Sequence, residues 1–235
     1  MTGTFLNIAA VLIGGAIGLI FGSRIPERFK NTVIAGMGLF TGAIGLQMFL
    51  DSQNQLIVLG AIIIGIILGE WMKIEDRLQT FGQTLEKRFS PDREAGSASS
   101  TFVRGFMVAS LLFCVGPMTI LGSIQDGLTG DYQLLAVKST LDLFASIAFA
   151  STLGVGVLFS SIVILIYQGG ISSLAGSLSA IITDPMMNEM TATGGVILFG
   201  LAISNLLEIK KIHVGNFLPA LAIAPLIVWI LEKFF

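Results

Sequence analysis

CVGPMTILGSIQDGLTGDYQLLAVKSTLDLFASIAFASTL, residues 114–153, holds two apolar stretches joined by a tight polar turn. Inside it sit a Gly–Pro pair, three aspartates and a lysine, and Lys138 and Asp142 lie within a segment that otherwise belongs in hydrocarbon. Their meaning depends on the solvent around the whole chain. Of its 235 residues 54% are hydrophobic and 12% charged, about half the charge of an average soluble domain. Several apolar runs reach the roughly 20 residues that a helix needs to cross a bilayer. The sequence therefore specifies an all-α, polytopic transmembrane helix bundle forming one integral membrane domain over residues 1–235.

Apolar runs and their punctuation give about eight spans: 4–22, 33–50, 56–71, 102–125, 134–153, 155–174, 190–207 and 214–231. The division between the fifth and sixth rests on Gly154 and Gly156. The basic residues supply an orientation. Arg24, Arg28 and Lys30 follow span one, and Lys73, Arg77, Lys87, Arg88, Arg93 and Arg104 separate spans three and four. Lys210 and Lys211 separate spans seven and eight, so eleven of the 13 Lys and Arg share one side of the membrane. The positive-inside rule makes that side cytoplasmic. Both termini then face outward, with Asp51, Asp131 and Asp184 in outer loops. The N-terminus lacks a basic n-region, so the first run reads as a retained helix.

Between spans three and four, Trp71, Ile74, Leu78, Phe81, Leu85 and Phe89 recur at helical spacing among charges. That pattern is an amphipathic cytoplasmic helix over 72–89, lying on the membrane surface or on a partner copy. SPDREAGSASST, residues 90–101, reads as a flexible linker. GGAIG at 14–18 resembles GGISS at 169–173, and GLFTGAIGLQ at 38–47 resembles VILFGLAISN at 196–205. Spans one to three and six to eight are thus candidate inverted repeats, a plan common in secondary transporters. The 28 glycines include small-xxx-small pairs such as Gly14–Gly18, Gly38–Gly42 and Gly65–Gly69. These suit close helix packing, or contacts between copies in a homo-oligomer.

Within the opening hairpin, Asp142 lies about 12 Å into span five, near the middle of a hydrocarbon layer roughly 30 Å thick. Lys138 and Ser146 share its face at four-residue spacing. On span four, Pro117 cannot donate a backbone hydrogen bond and its ring clashes with the Phe113 carbonyl. Gly116–Pro117 should therefore break the helix and leave that carbonyl unpaired at the depth of Asp142. Thr119, Ser123 and Asp126 form a polar stripe toward the outer turn, and Gln125 accompanies it. A charge in mid-membrane costs on the order of 3 kcal/mol, so it points to function. The plainer alternative is an ion pair that only locks the hairpin, with Lys138 snorkelling outward.

Other polar positions are plainer still. Asn7, Gln47 and Asn205 suit interhelical hydrogen bonds, and Glu70 and Glu208 sit at cytoplasmic helix ends. His213 is the only histidine and Cys114 the only cysteine, which argues against a His- or Cys-rich metal site and an internal disulfide. There is no Walker loop, nucleophile elbow or HExxH, and a net charge of -2 without basic patches gives no sign of nucleic acid.

Residues 114–157, with NIAAVLIGGAIG at 7–18, resemble the Domain of Unknown Function 554 family, the YdfK-like bacterial membrane proteins. The resemblance covers essentially the whole chain. It implies a multi-pass inner-membrane protein and marks Gln125, Asp126, Asp131, Lys138 and Asp142 as motif positions, without an activity. The leading expectation is a secondary transporter or channel for a small ion or solute, not an enzyme. No cofactor is implied, although a bound monovalent cation or coupling to H⁺ or Na⁺ would suit Asp142. A structural or regulatory membrane protein is the first alternative. The second is an intramembrane enzyme using Asp126 and Asp142 as acid and base.

Overall fold

Apolar helices dominate because every backbone N–H and C=O within a bilayer needs a partner in its own segment. The computed structural model describes residues 1–22, 24–89 and 97–234, and of residues 89, 97–100 and 117 the backbone alone. Among the described residues seven helices are long and apolar enough to cross a membrane. An eighth span results if one bent pair counts as a single crossing. That pair is α5 (Ser97–Cys114) and α6 (Pro117–Thr129), bent by 63° at the expected break. Gly116 has φ 142°, a region closed to side chains with a Cβ, and Pro117 suits the first position of the helix after it. The chain falls into two compact units.

The first unit comprises Met1–Gly36, Gln79–Cys114 and Met118–Ala180. It contains α1 (Thr2–Gly22), α5, most of α6, α7 (Gln133–Leu153), α8 (Gly156–Ser173) and the short α9 (Ala175–Ser179). Helices α1 and α7 run side by side in the same direction. Gly3 meets Leu135, Gly14 meets the Leu143 carbonyl and Ser146, Gly18 meets the Ile147 carbonyl and Gly22 meets Ser151. A Cβ at Gly14 or Gly18 would strike backbone oxygen, so these glycines set the helix spacing. Gly154 (φ 79°) ends α7. Gly156 then passes the Phe102 carbonyl, which brings α8 against α5.

The second unit comprises Met37–Leu78, Val115–Pro117 and Ile181–Phe235. Its helices are the greater part of α2 (Glu27–Leu50), α3 (Gln55–Met72), the start of α4 (Ile74–Phe89), α10 (Asp184–Leu201) and α11 (Ala220–Phe234). Gly45 and Gly195 each face the other's carbonyl, which joins α2 to α10. Gly65 meets Ala220 and Gly69 meets Asn216, which joins α3 to the segment leading into α11. Asn54 caps α3 and Thr183 caps α10 through their side-chain oxygens.

Several expected boundaries move. Span seven begins at Asp184 rather than 190, because Thr183 and Pro185 supply the start signals. It ends in a π-helical turn, Ala202–Leu206. Span eight opens as a 3₁₀ turn, Val214–Phe217, before α11. The amphipathic helix starts at Ile74, after Lys73 takes a left-handed conformation. Of the expected linker over 90–101, residues 90–96 lie outside the described residues, whereas 97–101 are helical as the first turn of α5.

Candidate functional site

Lys138 and Asp142 stand one turn apart on α7, so their side chains meet along one helix face. The Lys138 ammonium is ion-paired with the Asp142 carboxylate, and both residues are buried. The same ammonium lies 5.8 Å from the centroid of the Phe113 ring, a cation–π arrangement. The Asn7 amide of α1 lies beside the Asp142 carboxylate and favours its charge, although neither amide atom reaches it with full hydrogen-bond geometry. The register of α1 on α7 explains the meeting. Gly3 lies at Leu135 and Gly14 at Leu143 to Ser146, which sets Asn7 level with Lys138 and Ser139.

Other expected site residues take different places. The Phe113 carbonyl is not unpaired: Thr119 reaches back across the break and donates its hydroxyl at 3.2 Å. The proline removes one donor and a threonine two residues on supplies another. Asp126 is buried, and its carboxylate accepts the Gly3 N–H at 3.0 Å and pairs with the Met1 amino group at 3.1 Å. It serves the N-terminal end of α1, where a negative charge is favoured. Gln125 is exposed on α6, because its side chain leaves the stripe of Thr119, Ser123 and Asp126. Asp131 is exposed and accepts the Gln133 N–H at the start of α7. Gly116 and the Pro117 backbone belong to the second unit, Lys138 and Asp142 to the first.

In the first unit, six side chains hold buried polar atoms without a hydrogen-bond partner of full geometry: Thr4, Asn7, Ser110, Ser123, Ser146 and Gln168. Sequence reasoning named Ser123 and Ser146, took Asn7 as a helix–helix contact, and passed over Thr4, Ser110 and Gln168. Gln168 is the largest of the missed groups, with 0% exposure. The available signal was its position on α8, in register with Ser160, Ile164 and Ser172 at four-residue steps. Ser172 donates to the Ser123 carbonyl at 2.9 Å, which turns this stripe toward α6. Most buried polar atoms in proteins find a partner, so six without one in a single unit mark a place for water or a ligand.

The second unit holds a buried acid that sequence reasoning also missed. Glu189 of α10 accepts from the Ser52 hydroxyl at 2.7 Å and from the Gln53 and Asn54 N–H groups at 2.8 and 2.9 Å. It secures the turn between α2 and α3.

A family model described as "Protein of unknown function (DUF554)" matches residues 2–229. The chain belongs to the DUF554 family. This DUF554 chain is 31% identical over 238 residues to the "Uncharacterized membrane protein YdfK" of Bacillus subtilis (strain 168), covering 100% of the chain and 98% of the relative. It is 32% identical over 222 residues to the "Uncharacterized protein YqgA" of Escherichia coli (strain K12), covering 94% of each. No solved structure matches. Family and fold agree on a multi-pass membrane protein.

Proposed function

We propose that this DUF554 protein carries a small polar solute or ion across the bacterial inner membrane, and that it does so without enzymatic chemistry. The observation that carries the reading is the set of six unpartnered buried polar side chains in the unit that also buries the Lys138–Asp142 pair. An unmet buried donor or acceptor costs about 1–3 kcal/mol. A cluster of them is hard to reconcile with a purely structural bundle, and a passing polar solute would supply the missing partners. The break between α5 and α6 supports the same reading, since interrupted spans recur at transporter binding sites.

Orientation follows from the basic residues: both termini outside, with 72–101 cytoplasmic. The suggested inverted repeat fits the division of the chain. Helices α1 and α8 fall in one unit, and α3, α10, α11 and most of α2 in the other, so the paired spans divide alike.

Reconstitution into vesicles with uptake measured across a panel of ions and small solutes tests the proposal. Asp142→Asn removes one charge and nearly keeps shape, so it should abolish protein-dependent uptake while the protein remains folded and extractable. Full uptake by a folded Asp142→Asn protein would refute the role of this site.

A further inference from the structure

We infer that the cargo is a small solute with no net charge that both donates and accepts hydrogen bonds, an uncharged polyol or amide or a zwitterionic amino acid. The inference rests on the transport reading and narrows it. It starts from where the unpartnered groups stand. Gly15 of α1 meets Leu158 of α8, and α8 returns antiparallel to α7 after the turn at Gly154. Counting about 1.5 Å per residue, Asn7 lies about 12 Å from Gly15 and Gln168 about 15 Å from Leu158 along the same axis. The two amides therefore stand at nearly one height, level with Lys138. On the cytoplasmic side, Gly105 meets Leu153 while Phe113 sits beneath the Lys138 ammonium. That sets Ser110 of α5 near the height of Ser146. By height within one unit, two hydroxyls lie below the ion pair and two amides lie level with it.

Their chemistry decides the class of cargo. Asn7 and Gln168 each present one amide donor group and one acceptor, and Thr4, Ser110, Ser123 and Ser146 present hydroxyls that do either. No net charge accompanies them. Lys138 and Asp142 neutralise each other, and the Asp126 carboxylate is held by the Gly3 N–H and the Met1 amino group. An ion entering among these groups would lose its hydration without meeting a surplus of opposite charge, whereas an uncharged solute has less hydration to lose and regains its hydrogen bonds from the amides and hydroxyls. Among the described residues no three His, Cys, Asp or Glu come together to hold a metal ion. A zwitterion has a further route, its carboxylate taking Lys138 and its ammonium taking Asp142 as that pair opens. The solute must be small, because α1 and α7 touch backbone to backbone at Gly14 and Gly18.

The test uses the full chain in phosphatidylethanolamine–phosphatidylglycerol vesicles. Stopped-flow light scattering follows re-swelling under gradients of glycerol, urea, glycine or alanine, and a potential-sensitive dye follows NaCl and KCl gradients. At least one solute should enter at least fivefold faster than in protein-free vesicles, with no protein-dependent dye response to either salt. Entry of glycerol or urea assigns the uncharged class, and entry of glycine or alanine alone the zwitterionic one. Asn7→Leu combined with Gln168→Leu should return the rate to the protein-free value while a melting curve reports folding. Ser146→Ala, which deletes a single oxygen, should lower it severalfold if the double variant fails to fold. A protein-dependent dye response to NaCl or KCl overturns the neutral cargo and leaves transport standing. No protein-dependent response to any of the six probes overturns both.

Discussion

The two units handle buried polarity in opposite ways. In the second, Glu189 receives three donors. Asn216 accepts the Glu75 N–H at 2.7 Å while Glu75 accepts the Gly215 N–H at 2.7 Å. Ser204 bonds both the N–H and the carbonyl of Ile212 at 3.0 Å. In the first unit, six buried polar side chains have no partner beside an ion pair that is closed on itself. Saturated networks fix a conformation, and partly satisfied ones leave room for something else to bind. Under the proposed function, the second unit is scaffold and the first holds the site. Substitutions can break or sharpen it.

The largest effect is expected at Glu189. Glu189→Ala strips the Ser52 hydroxyl and two backbone N–H groups of their acceptor in a residue only 2% exposed. The loss should be about 4 kcal/mol, or roughly 10 °C in the melting midpoint for a chain of this length. Melting in detergent measures it. A fall of no more than about 1 kcal/mol would mean that water takes over the turn and that the second unit is less rigid than its bonds suggest. Asn216→Ala comes next. It deletes one acceptor from the Glu75–Asn216 clasp, and should cost about 1–2 kcal/mol with transport retained in whatever protein stays folded.

These two residues also show what the sequence could not reveal. Lys138 and Asp142 were legible because four-residue spacing fixes a shared helix face whatever the tertiary fold, and Gly116–Pro117 because proline acts locally. The partners of Asp126 and Glu189 lie 123 to 137 positions away, and no local rule encodes such distances. For that reason the contact of Asp126 with the start of α1 could not be read from the sequence. Glu189 looked like part of an outer loop because its apolar neighbours begin one residue later. Gln168 and Asn7 are harder still. A lone amide in an apolar run reads the same whether a neighbouring helix satisfies it or nothing does.

The ion pair offers a smaller effect on stability and a sharper one on function. Lys138→Met with Asp142→Leu exchanges two buried charges for apolar groups of similar size, a change that is often neutral or stabilising. The melting midpoint should stay within about 1 kcal/mol of the parent while uptake disappears. Parental uptake by a stable double variant would make the pair a lock in the hairpin. The first unit would then be scaffold as well.

The smallest effect on stability compares two serines on one helix. Ser139 donates to the Leu135 carbonyl at 2.6 Å, whereas the Ser146 hydroxyl, at 0% exposure, has no partner. Ser139→Ala removes a made hydrogen bond and should cost about 0.5–1 kcal/mol with uptake unchanged. Ser146→Ala removes an oxygen that the folded protein does not use. It should leave stability within about 0.5 kcal/mol of the parent or raise it, yet lower uptake severalfold if the proposed cargo bonds that oxygen. The pair is informative because the ranking by stability reverses the ranking by uptake. If Ser146→Ala instead destabilises as much as Ser139→Ala and transports normally, its hydroxyl has a structural partner after all. The difference between the two units would then narrow to the amides of Asn7 and Gln168.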